Sequence, residues 1–185
     1  MHPTPSQTVG PFYGYALPFP GGGDLAPPGH PDSITVHGHV LDGAGEAVPD
    51  ALLEFWQPAP DGDRRGRPGS MRRDPVTGGF AGRNGTDFTG FARVATDADG
   101  HWTLRTLPPG GAPYLAVCVF ARGLLHHLNT RAYLTGHPLS GVDRLLASLA
   151  PEQRAGLHTR LEQPALHRFD IRLQGEKETT FLAFH

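Results

Sequence analysis

Few residues in this chain have the type and spacing to do chemistry. His37-Gly38-His39 is the first candidate. Histidines at i and i+2 face the same side of a strand and can share a metal ion. A finished site needs third and fourth ligands, and the sequence shows no obvious pair, so a histidine-bearing sheet face is the plainer expectation. A metalloenzyme built on His37 and His39 would have to bind its metal in this chain alone. His126 and His127 would place their rings on opposite faces of a strand, which argues against joint ligation. Asp97-Ala98-Asp99-Gly100 lacks the further oxygens and the closing Glu of a calcium loop, and reads as a turn that uses Asp and Gly for backbone reasons. Glu54, beside Trp56, is a lone carboxylate and reads as a structural partner. His185 reads as solvated. No nucleophile elbow, phosphate loop or dinucleotide fingerprint is present.

The elements that must position these residues are short strands. Ile34 to Val40 alternates with period two and ends at Asp42-Gly43. Ala51 to Gln57 is a second strand. Phe91 to Thr96 and His101 to Leu107 flank the Asp97–Gly100 turn and are expected to pair as a hairpin. Tyr114 to Phe120 is nearly all apolar and reads as a central strand. At least one more strand lies within Leu124 to Leu134, and two follow at Arg168 to Leu173 and Thr179 to Phe184. Residues 58–89 read as a long loop, and loops of that length are usually functional or interfacial. Ser140 is the expected N-cap of one helical segment, with Leu145, Leu146 and Leu149 as its apolar stripe until Pro151; a second helical turn is expected between Glu152 and Arg160. The reading is all-β: a β-sandwich over residues 33–185 with one helical excursion, preceded by an N-terminal arm over residues 1–32.

Composition supports a folded domain. Gly (25) and Pro (19) are abundant, but 38% of residues are hydrophobic and no repeat of fixed period is present, so a domain rich in turns is favoured over disorder. A formal net charge of −2 argues against a nucleic-acid partner or a polybasic membrane contact. The single cysteine, Cys118, excludes an intrachain disulfide and suits a reducing cytosol. Its expected role is a small buried hydrophobe. The N-terminus lacks a signal-peptide pattern, and no apolar run approaches the roughly 20 residues that span a bilayer. Pro11-Phe12-Tyr13-Gly14-Tyr15 is too aromatic for a free tail and reads as an arm lying on a surface, this chain's own or a partner's.

Several motifs then point one way. Thr4-Pro5-Ser6-Gln7-Thr8-Val9-Gly10-Pro11-Phe12, Leu52-Leu53-Glu54-Phe55-Trp56-Gln57, Thr96-Asp97-Ala98-Asp99-Gly100 and Thr106-Leu107-Pro108-Pro109-Gly110 resemble intradiol ring-cleavage dioxygenases. Val119-Phe120-Ala121-Arg122-Gly123, His127 to Tyr133 and Arg168 to Glu176 resemble, within that family, the α subunits of protocatechuate 3,4-dioxygenases. The resemblance spans nearly the whole chain, and its strength lies in the order of seven motifs that are individually weak.

The resemblance implies an enzyme that cleaves a catechol between its hydroxyls and inserts both atoms of dioxygen, at an Fe(III) held by two tyrosines and two histidines. Hard phenolate donors suit Fe(III). It also implies that this chain does not hold the iron. The histidine pair falls at Tyr114 and Ala116, the first tyrosine at Arg64, and the second at Gly111 or Ala112 in a shortened loop. Shifting that loop would put Tyr114 at the second tyrosine position and still leave the histidine pair absent. The iron is then expected on a β subunit, with this chain as a related partner in a higher αβ oligomer. Thr8, Pro11, Phe12 and Arg131 are the substrate-binding positions that the resemblance implies, with no catalytic or metal residue in this chain. Arg131 could hold the carboxylate of protocatechuate by paired hydrogen bonds or form an ion pair within the sheet. Phe12 stands where related α chains often carry tyrosine, which replaces a polar wall with an apolar one. A transthyretin-like binding module without catalysis is the alternative.

Overall fold

The computed structural model describes residue 10 and residues 12–183. Two sheets face each other. In the first, β1 (Ile34–Leu41) is central: β6 (His101–Thr106) pairs antiparallel on one edge, and β10 (Leu166–Arg168) and β11 (Ile171–Arg172) pair parallel on the other, with β9 (Arg160–Gln163) outside β10. The second has the order β5 (Phe91–Ala95), β2 (Leu52–Trp56), β7 (Tyr114–Phe120), β8 (Leu128–Tyr133), all antiparallel. Alternation of inward and outward side chains closes the sandwich. Val36, Val40, Trp102 and Leu104 point inward from the first sheet, and Leu53, Phe55, Leu115, Val117 and Val119 from the second. The rings of Phe55 and Trp102 meet across the core with centroids 5.0 Å apart.

The expected hairpin of Phe91–Thr96 with His101–Leu107 does not form. The turn does: the Asp97 side chain accepts from the backbone N–H of Asp99 and of His101, both at 2.9 Å. Beyond it β5 joins β2, while β6 crosses to β1 in the other sheet. Both strands bury one face, so each satisfies its pattern on a different layer. The expected strand from Arg168 to Leu173 is also interrupted. Phe169 turns into the core and its N–H donates to His37 O at 2.7 Å. Gly38 makes room for this: a Cβ there would lie 1.9 Å from Phe169 O. The described part of the expected last strand, Thr179 to Ala183, lies outside any strand.

Residues 58–89 hold more structure than a loop. β3 (Met71–Arg73) and β4 (Phe80–Arg83) form a small two-stranded sheet. The helical excursion is broken into short pieces: a 3-10 turn Ser140–Val142, α2 (Arg144–Ser148) and α3 (Pro151–Ala155). The N-cap of α2 is Asp143, which accepts from Leu146 N at 3.0 Å, rather than Ser140. Pro151 stands at the first turn of α3, where its missing N–H costs nothing. Near the N-terminus α1 (Tyr13–Ala16) and residues 17–26 lie on this chain's own sandwich: Tyr13, Phe19, Leu25 and Ala26 are buried, and the Tyr13 hydroxyl donates to Asp50 O at 2.7 Å.

Candidate functional site

The outer face of the second sheet carries the positions that the resemblance singled out. Tyr114, Ala116 and Cys118 project outward from β7, opposite their inward neighbours Leu115, Val117 and Val119. Ala116 lies between Trp56 on β2 and Arg131 on β8. With Glu54 and Asn129 these residues line a groove of about 300 Å³. Glu54 and Trp56 also line a larger cleft of about 870 Å³, between this sheet and residues 59–73, whose walls include Arg64, Phe80 and Phe91. The Pro-Gly turn is pinned to the mouth of that cleft. Gly110 N donates to Ala59 O at 3.0 Å, and a Cβ on Gly110 would lie 2.1 Å from Pro60 O.

Arg131 is held from two sides. Its guanidinium stacks over the Tyr114 ring at 4.1 Å, and Nη1 donates to the Tyr133 hydroxyl at 3.1 Å. Tyr133 in turn donates to Asp143 Oδ1 at 2.9 Å, and the Arg131 Nη1 to Asp143 Oδ2 distance is 3.9 Å. The helical excursion makes this network possible. Leu146 and Leu157 cover Tyr133 on what would otherwise be an open sheet face, and Asp143 arrives with α2. Burial pushes the Tyr133 phenol up to about 12, so it stays protonated as a donor. An ion pair within the sheet was one alternative for Arg131; the contact found is a loose one to Asp143, outside the sheet at the start of α2. The other guanidinium N–H groups of Arg131 have no hydrogen-bond partner among the described residues.

Other expected residues fall into place around this face. Glu54 is a structural partner: its Oε1 accepts from Arg93 Nε at 2.8 Å and Nη2 at 2.6 Å. Gln57 is buried, accepting from the Thr106 hydroxyl at 2.7 Å and donating to Leu107 O at 2.9 Å, so it ties the two sheets together beside the cleft. Cys118 is not the core hydrophobe expected of it. It points into the groove, half-buried, and burial together with the Glu54 charge pushes its thiol up to about 12. His126 and His127 precede β8 instead of lying on opposite faces of it. Phe12 is described and 72% exposed. Thr8, Pro11 and His185 lie outside the described residues.

The residues at the four ligand positions do not suit a ferric ion. Ala116 has no donor atom, Arg64 is an exposed cation on the cleft wall, and Gly111 and Ala112 offer no side-chain ligand. The remaining candidate, Tyr114, already carries a guanidinium on its ring, and a second cation there would be repelled.

No family model matches the chain. Among curated proteins it is 37% identical to the protocatechuate 3,4-dioxygenase alpha chain of Burkholderia cepacia, over 96% of this chain and 95% of that one. This chain belongs to the protocatechuate 3,4-dioxygenase α-chain family. The β chain of the same enzyme from the same organism is also similar, 29% identical over 80% of this chain and 67% of its own length. Among solved structures, the dioxygenase domain of a dioxygenase–carbohydrate-binding protein fusion from Streptomyces sp. SirexAA-E matches with a TM-score of 0.56 and 28% identity, over 94% of this chain and 99% of that one. The sandwich is thus the intradiol dioxygenase fold, in a family whose chemistry uses non-haem iron.

Two features of the site escaped the sequence. Asp143 as a partner of Arg131 carried no local signal, because the chain leaves the sheet between them, and Tyr133, at i+2 on the same strand face as Arg131, could have been found from the period of a strand. On the opposite sheet, His101 comes to lie beside His37 and His39. The only sequence sign was its place as the first residue of a strand.

Proposed function

We propose that this chain is the non-iron-ligating α subunit of a protocatechuate 3,4-dioxygenase and works only beside an iron-bearing β subunit. The reaction takes protocatechuate and dioxygen to 3-carboxy-cis,cis-muconate, with both oxygen atoms retained in the opened ring, as a step of aromatic degradation through β-ketoadipate. The Fe(III) of the β subunit would bind the substrate as a catecholate and make its ring reactive to dioxygen. The observation that carries the reading is the pairing of 37% identity along nearly the whole α chain with ligand positions that cannot hold a metal. The two chains would meet in a higher αβ oligomer in the cytoplasm.

In this reading the chain supplies walls and charge. Arg131 offers unpartnered guanidinium N–H groups to the benzoate carboxylate, while Tyr133 and Tyr114 hold it in place. Thr8, Pro11 and Phe12 are the further substrate-binding positions of this reading. A large aromatic such as Phe12, left exposed by its own chain, is the type of residue a partner covers.

The test is to purify the chain alone and together with its β partner, and to measure iron and protocatechuate-dependent oxygen uptake in each. Iron and activity should follow the β chain. A stoichiometric ferric ion in this chain alone would overturn the reading.

A further inference from the structure

The larger cleft, about 870 Å³ between the second sheet and residues 59–73, takes no part in the proposed reaction. Its volume is that of a small-molecule site. Its loop wall is braced at both ends. At one end Ala59 N donates to Asp63 O and Gly62 N to Ala59 O, both at 2.8 Å, and Gly110 N ties this turn to the Pro-Gly turn. At the other end Asn84 N donates to Ser70 O at 2.9 Å. The Arg83 guanidinium holds β4 in place through Phe91 O at 2.6 Å and Gly22 O at 3.0 Å. The space is therefore preformed.

The sheet wall is aromatic. Trp56 packs against Phe91 with ring centroids 4.4 Å apart, yet the residue stays 55% exposed. The neighbouring rings already carry cations: Arg73 lies 4.5 Å from the Phe80 centroid and Arg93 lies 5.4 Å from that of Phe91. Among the described residues no guanidinium lies over Trp56, so its indole is the open ring of the cleft.

The charges around that ring do not cancel. Five arginines and four carboxylates line the cleft. Arg93 is committed to Glu54 at 2.6 Å, Arg65 to Asp63 at 3.1 Å and Arg67, more loosely, to Asp61 at 3.8 Å. Arg73 donates to Gly78 O at 2.9 Å. The fourth carboxylate, Asp87, accepts from Asn84 Nδ2 at 2.7 Å. Arg64 is exposed and has no hydrogen bond or ion pair among the described residues. A concave wall with a surplus cation favours an anion. An open indole face takes a planar ring, and an unpaired guanidinium takes a carboxylate by paired, charge-assisted hydrogen bonds.

We propose that this cleft binds a single-ring aromatic carboxylate, with the ring laid on Trp56 and the carboxylate paired with Arg64. The acid is held there and not transformed, because the residues at the four ligand positions do not suit a ferric ion. The site uses the walls of this chain alone. It depends neither on Arg131, which does not line the cleft, nor on iron in a partner.

The test uses an azidobenzoate, a single-ring aromatic carboxylate that crosslinks under light. It is bound to this chain assembled with its β partner, photolysed, and mapped by peptide mass spectrometry. Label should fall on residues 59–91 and be displaced by benzoate, but not by benzyl alcohol, which keeps the ring and lacks the charge. Cyclohexanecarboxylate, which keeps the charge and loses the flat ring, should compete several-fold less well than benzoate. Arg64→Ala should raise the concentration for half-maximal labelling of this segment by about tenfold. Arg64→Lys should recover part of that, and Arg131→Ala should leave it unchanged. Arg64 is exposed and unpaired, so its removal does not threaten the fold. No label on residues 59–91 in the assembled protein, label there that benzyl alcohol displaces as well as benzoate does, or labelling unchanged by Arg64→Ala overturns the proposal. Iron content of the same sample reports separately on the dioxygenase reading, and a sample without iron should label in the same way.

Discussion

Replacing Arg131 by Ala in the assembled enzyme separates a substrate-binding arginine from a structural one. The structural loss is small. The side chain gives up a stacked contact with Tyr114 at 4.1 Å, worth about 0.5–1 kcal/mol at a partly exposed position. It also gives up a 3.9 Å ion pair of the kind worth about 0–1 kcal/mol. Asp143 keeps the Tyr133 hydroxyl and the Leu146 N–H, so no charge is left stranded. The fold should therefore survive. A charge-assisted hydrogen bond to the substrate carboxylate is worth about 1.5–3 kcal/mol. At ~1.36 kcal/mol per tenfold, that is roughly a 10- to 150-fold fall in kcat/KM for protocatechuate. Asp143 already offsets part of the positive charge, so the lower end, about tenfold, is expected. The loss should appear in KM. Catechol, which lacks the carboxylate, should change by less than about twofold, because that difference is the charge-assisted bond itself. Arg131→Lys should recover part of the loss, since it keeps the charge and gives up the planar fork. Steady-state oxygen uptake with both substrates decides the matter. Equal falls for protocatechuate and catechol would mean that Arg131 acts only through the fold.

Two further perturbations probe the scaffold. Trp102 is buried against Phe55 and its indole N–H has no partner among the described residues, so Trp102→Ala should cost about 3–5 kcal/mol in urea unfolding. Trp102→Phe should cost less than about 2 kcal/mol, because it also removes an unsatisfied donor; equal costs would refute that argument. Cys118, raised to about 12 first by burial and then by Glu54, should remain a thiol at pH 8. Its alkylation by iodoacetamide should run roughly a thousandfold slower than that of a free cysteine and climb about tenfold per pH unit toward pH 11. Mass-spectrometric labelling at the rate of glutathione would show that the groove does not raise it.

Much of this protein is written in local pattern. The period-two alternation of Ile34–Val40 states which side chains are buried, and Ile34, Val36 and Val40 join the core, whereas the nearly all-apolar run Tyr114–Phe120 does not distinguish its faces, and Cys118 falls on the outer one. Glu54 was legible as a structural partner, and Asp97 as a turn residue, because single carboxylates in strands and Asp-Gly turns have few other uses. The order of motifs was enough to assign the family, and Ala116 was enough to remove a ligand, since a methyl group cannot hold a metal. Local pattern is silent on partners. Phe91–Ala95 and His101–Thr106 each need a buried face, but alternation does not say which sheet supplies it, and the two strands part at the turn into different layers. Likewise Ser140 and Asp143 are both good capping residues. The choice fell to Asp143, whose second oxygen is 3.9 Å from Arg131, a contact between elements that sequence spacing does not encode. The tether on Arg131 and the meeting of His37 with His101 exist only because strands and helices distant in the chain pack side by side. Burial drives that packing without direction, so the face a residue takes is fixed by its neighbours in the chain, and its companions on that face only by the whole fold.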